Sequence, residues 1–91
     1  MSIDEVLGKC SQVVDERSKN YGDPRTCFNE IARRWSQHLK IDIDASQVAI
    51  CMTELKMVRQ SFGTQPDNII DAINFLAFCQ LFQSYELELA V

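Results

Sequence analysis

Residues 66–82 read PDNIIDAINFLAFCQLF. From Ile69 to Phe82 only Asp71, Asn74 and Gln80 interrupt the apolar residues. The run is too short and too often broken for a membrane span, which takes ~20 consecutive apolar residues. Its length suits a helix, and a helix apolar on nearly every side has neighbours on nearly every side. Three short partner helices can hardly enclose it in one copy. The sequence therefore predicts an all-α, four-helix, bundle-like fold that is oligomeric, with the last helix central or packed across a twofold.

Working outward, helix boundaries fall at about 2–19, 24–39, 45–62 and 65–88. Ser2 with Glu5 makes a capping box, and Ile3, Val6, Leu7, Cys10, Val13 and Val14 form a 3–4 stripe behind it. Asn20-Tyr21-Gly22-Asp23-Pro24 breaks that pattern, and Asp23-Pro24 opens the second helix. Its inward face is Phe28, Ile31, Ala32, Trp35 and Leu39, with Glu30–Arg34 an i,i+4 pair worth ~0.3 kcal/mol. His38 sits at its C-terminal end. Ile41-Asp42-Ile43 reads as an extended connector that tucks both isoleucines under the bundle. Asp44 and Gln47 cap the third helix, whose stripe is Val48, Cys51, Met52, Leu55, Val58 and Phe62; Gly63 ends it. Thr64 and Asp67 make a capping box for the fourth. No repeat or linker divides residues 1–91, so one helical domain is expected.

Thirteen acidic against nine basic residues give a net charge of −4, which argues against generic nucleic-acid binding. The chain is 46% hydrophobic with three Gly and two Pro, so it is neither disordered nor low-complexity. MSIDEV is acidic and lacks an apolar signal core; a cytoplasmic protein is expected, with no membrane partner. Cys10, Cys27, Cys51 and Cys79 form no C-x-x-C pair and read as small core hydrophobes of a reducing compartment.

Polar residues that break the helical pattern mark the candidate site. Asp67, Asp71 and Asn74 fall on one stripe of the last helix. The short turn at Gly63-Thr64 makes the last two helices antiparallel neighbours. Counting outward from it sets Arg59 against Asp67, Lys56 against Asp71, and Glu54 near Asn74. Two readings stand. Interhelical salt bridges would fix the register of the hairpin. Alternatively, Glu54, Asp67 and Asp71 would hold Mg²⁺ while Lys56 and Arg59 meet phosphates. The segment from Arg17 through Asn20, Tyr21 and Gly22 is a second candidate: it offers a base, an amide, an aromatic platform for a nucleobase and close backbone approach. The alternative is a loop in which Tyr21 staples two helices.

Taken in order, Arg17…Tyr21-Gly22, Phe28-x-x-Ile31-Ala32-x-x-Trp35, Glu54-Leu55-Lys56-x-x-Arg59 and Asp67-x-x-x-Asp71-x-x-Asn74-Phe75 resemble a group of small helical proteins of phages and prophages. Some of these are described as nucleotide-modification-associated domains, others as of unknown function. More distantly, the chain resembles the all-α nucleoside triphosphate pyrophosphohydrolases of the MazG and dimeric dUTPase type, although it lacks their E-x-x-E. The resemblance implies a phage-encoded oligomer in the host cytosol that binds a nucleotide or nucleotide-derived phosphate compound. Magnesium and pyrophosphohydrolase-like activity come with it. The alternatives are a non-catalytic sponge for a nucleotide messenger of host defence, and an interaction module for a host protein with no ligand.

Overall fold

The computed structural model describes residues 1–90, with side chains described through Tyr85. Four helices account for nearly all of it: α1 (Ile3–Tyr21), α2 (Pro24–Leu39), α3 (Ala45–Phe62) and α4 (Pro66–Ala90). No strand occurs among the described residues. Ser2 Oγ accepts the Glu5 N–H at 3.1 Å while Glu5 reaches back to the Ser2 N–H at 3.4 Å. Asp44 and Gln47 make the same exchange at 2.8 and 2.9 Å, and Asp23 takes the Arg25 N–H at 2.9 Å ahead of α2. Each cap satisfies N–H groups that a helix cannot bond internally, and contributes ~1 kcal/mol.

The α2 and α3 helices end where expected, at Leu39 and Phe62, and the other ends differ in detail. The α1 helix runs past Lys19 to Tyr21 and closes on Gly22, whose φ of 77° suits glycine. The α2 helix closes on Lys40, a left-handed residue at φ 58° that lacks glycine's freedom. Lys40→Gly is therefore expected to stabilise the fold by about 1 kcal/mol, read as a rise of several degrees in thermal melting. Gly63 ends α3 with extended backbone (φ −179°), not the left-handed cap. No hydrogen bond joins Thr64 to Asp67 among the described residues. Instead Gln60 Oε1 accepts the Gln65 N–H (3.4 Å) and the Asn68 amide (3.2 Å), so a glutamine on α3 organises the turn.

Contacts that widen outward from that turn, Gln60–Asn68 and then Lys56–Asp71, set α3 and α4 antiparallel. The core gathers Phe28 and Ala32 of α2, Ala45, Val48 and Ala49 of α3, and Cys79 and Phe82 of α4, with Ile31, Trp35, Met52, Phe75 and Phe78 packed around them. Phe28 is its hub, with ring centroids 5.9, 5.8 and 5.5 Å from Phe75, Phe78 and Phe82. Arg25 lies 4.3 Å over the Tyr85 ring and ties the start of α2 to the far part of α4. The connector is clipped by Ser36, whose hydroxyl accepts the Ile43 N–H at 2.9 Å and donates to the Ala32 carbonyl at 2.7 Å. Ile43 is tucked against the core; Ile41 is not, and stays exposed.

The largest departure concerns α3. Of its expected inward stripe, Val48 and Met52 do face the core, but Cys51, Leu55, Val58 and Phe62 are exposed, Phe62 at 88%. The buried face carries Ala45, Ser46, Ala49 and Thr53, with Lys56 and Gln60 partly buried. Small residues let α3 approach α4 closely, and Lys56 and Gln60 enter because α4 supplies their partners. Cys10 and Cys79 are buried as expected, whereas Cys27 and Cys51 are exposed. Ile69, Leu76 and Leu81 on α4, and Ile3 and Leu7 on α1, also face outward. No helix among the described residues is long and apolar enough to cross a membrane.

Candidate functional site

The stripe on α1 decides where the site forms. Cys10, Val13, Val14, Arg17 and Tyr21 follow a 3–4 spacing, so Arg17 extends the apolar face of its own helix toward the body of the protein. Cys10 is buried beside α4, and its carbonyl accepts the Asn74 amide at 3.1 Å. Two turns further on, Arg17 Nη1 donates to Asp71 Oδ1 at 2.7 Å. The other carboxylate oxygen, Oδ2, lies 2.8 Å from Lys56 Nζ on α3. Asp71 is buried to 3% exposure, so its charge is held by two cations from two other helices. That arrangement leaves one net positive charge. The Arg17 side chain is 47% exposed and uses one of five N–H donors on Asp71, while Lys56 is 16% exposed.

Beside this triad lies a cleft of about 400 Å³ between α1, α2 and α4, with Met52 of α3 at its edge. That volume falls within the ~300–1,000 Å³ typical of small-molecule sites. Phe28, Phe75, Phe78, Ile31, Val13 and Val14 make its wall apolar and aromatic. Arg17, Ser18, Asp71 and Asn74 supply its polar groups, and Tyr21 and Gly22 its rim. A second, shallower depression on the other side of Tyr21-Gly22 is lined by Thr26, Glu30 and Arg34. There Glu30 accepts from Arg33 at 2.6 Å and from Arg34 at 3.0 Å. Those two bonds, that of Arg33 first, pull its carboxyl down to about 2.

A family model for a domain of unknown function (DUF6378) matches residues 5–82. The chain belongs to that family. No curated protein and no solved structure matches it. The DUF6378 match spans every candidate residue from Arg17 to Asn74, and no family of the MazG or dUTPase type accompanies it.

Within the DUF6378 domain parts of the two candidate segments meet. The hairpin count placed Lys56 against Asp71, and the two meet. Arg17, assigned to the loop, also lands on Asp71. Tyr21 and Gly22 line the same cleft as Asp71 and Asn74. Other expected neighbours do not meet. Arg59 and Asp67 are both exposed, and no ion pair joins them among the described residues. Glu54 is exposed, while Asn74 is buried and turned to α1. Asn20 is exposed near the end of α1 and does not line the cleft. Among the described residues no three of His, Cys, Asp and Glu stand close enough to hold a metal ion, so Glu54, Asp67 and Asp71 do not form the expected set. Sequence reasoning missed the Arg17–Asp71 bond. Its signal was present in the position of Arg17 at the end of an otherwise apolar stripe.

Proposed function

We propose that this domain binds a nucleotide, or a phosphate compound derived from one, in the cleft beside the Arg17–Asp71–Lys56 triad. The observation that carries this reading is the pairing of unlike halves. An aromatic-walled cleft of nucleoside size ends at a half-exposed guanidinium whose charge Asp71 only partly offsets. The base would lie against the phenylalanine wall, with Asn74 within the cleft for its polar edge. Phosphate would sit at the mouth, where Arg17 has donors to spare. The likeness to phage helical proteins associated with nucleotide modification agrees with this choice of ligand.

Binding without turnover is the form the residues favour. Metal-assisted hydrolysis of a triphosphate needs several convergent carboxylates. Here Glu54 and Asp67 are exposed and apart from Asp71, whose oxygens already serve two cations. The residues present do not fit a chain-held Mg²⁺, and no step is assigned to one. Sequestration of a nucleotide messenger in the cytosol of a phage host is the biological role consistent with a binder of this kind.

Thermal shift and calorimetry against nucleoside mono- and triphosphates and cyclic nucleotides, with and without Mg²⁺, test the proposal. At least one class is expected to raise the melting temperature. Arg17→Ala should weaken it by ~10–100-fold, the loss of a charge-assisted bond to phosphate. No shift with any nucleotide at millimolar concentration would remove the reading and favour a protein–protein module. Release of phosphate or pyrophosphate would establish an enzyme instead of a sponge.

A further inference from the structure

We infer that a second copy of this chain packs on the outer face of the α3/α4 hairpin, away from α2. On α3, Val48 and Met52 join the core with Phe28 and Ala32 of α2. At 100° per residue, Ile50 and Met57 lie roughly opposite them. On α4, Phe75, Phe78 and Phe82 meet the Phe28 ring. Ile69, Ile73, Leu76 and Gln80 lie roughly opposite those three. Since α3 and α4 are antiparallel neighbours, the two sets make one face of the hairpin. Ile50, Met57, Ile69 and Leu76 are 41%, 49%, 38% and 52% exposed. None of the six residues is charged.

Area argues for a second copy as the occupant, and charge for where it would sit. The accessible surface is 6660 Å² for a mass of 10.4 kDa. A compact monomer of that mass exposes about 5,400 Å². The excess of roughly 1,200 Å² exceeds the ~800 Å² that each partner buries in a standard interface. The net charge of −4 sets two copies against each other over most of their surface. The six residues carry no charge, the exposed Glu54 lies at the edge of their face, and a twofold would set α3 of one copy against α4 of the other. The other exposed stripe of α3, through Leu55, Val58 and Phe62, belongs to one helix.

Size-exclusion chromatography with light scattering tests the inference, in reductant because Cys27 and Cys51 are exposed. At tens of micromolar, the wild type is expected at twice 10.4 kDa or an even multiple of it. Leu76→Glu and Gln80→Glu each place a carboxylate on the face and should weaken association by roughly 100-fold or more, halving the mass at unchanged helicity. Leu7→Glu, on exposed α1, should leave it unchanged. If Leu76→Glu loses helicity, Gln80→Glu decides, because its side chain is already polar and exposed. A monomeric wild type overturns the inference. So does a folded face variant that keeps the wild-type mass.

Discussion

Asp71→Asn is expected to lower the melting temperature by roughly 15 °C or more. The substitution keeps the shape of the side chain and removes its charge. Lys56, only 16% exposed, then faces a neutral amide from within the helix interface. Losing one member of a buried pair costs about 3–5 kcal/mol, most of it the penalty of the ion left behind. Arg17 suffers less, because its half-exposed guanidinium can turn to water. Adding Lys56→Met to Asp71→Asn should restore much of the loss, since an apolar replacement leaves no stranded charge. Asp67→Asn, at an exposed position without an ion pair among the described residues, serves as the comparison and should change little. Differential scanning calorimetry checks all three. An Asp71→Asn protein that melts within about 2 °C of the wild type would mean that the triad contributes nothing to stability.

Phe28→Ala is expected to destabilise by about 3–5 kcal/mol, the range for removing a buried aromatic side chain. Phe28 is 8% exposed and is the single ring of α2 that meets three rings of α4. Its loss opens a void that Phe75, Phe78 and Phe82 cannot all close, because each is fixed to a helix. Phe28→Leu should cost clearly less, as it restores most of the volume. Urea unfolding followed by circular dichroism measures both. A cost below 1 kcal/mol for the alanine would show that Ile31 and Trp35 hold α2 in place without the ring. Because Phe28 also lines the cleft, the alanine variant should retain less affinity for any ring-bearing ligand than its residual stability alone would suggest.

The helices were legible in the sequence because their ends are written locally. Ser2 with Glu5, Asp23 with Pro24, and Asp44 with Gln47 each act within one turn, and all three operate in the structure. The start of α4 was not legible, because it depends on a partner from another helix: Gln60 reaches across the turn to Asn68 where a Thr64–Asp67 box was expected. The orientation of α3 was not legible either. Hydrophobicity alone favours Cys51, Leu55, Val58 and Phe62 as the inward face. Close packing of Ala45 and Ala49, and a waiting carboxylate for Lys56, turn the helix the other way. The same separation of local from distant information divides the site. Lys56–Asp71 follows from counting back along one hairpin, whereas Arg17–Asp71 depends on where α1 crosses α4, fifty-four residues away in the chain.

The first helix is fastened to α4 by three polar stitches on one side, Asn74 to the Cys10 carbonyl, the Cys10 thiol to the Ile70 carbonyl, and Arg17 to Asp71. Ahead of them, Ile3 and Leu7 are exposed. A guest in the neighbouring cleft that recruited the guanidinium for itself would undo one stitch. Capture of cargo and the grip on this outlying rod would then draw on the same bond, each at the expense of the other.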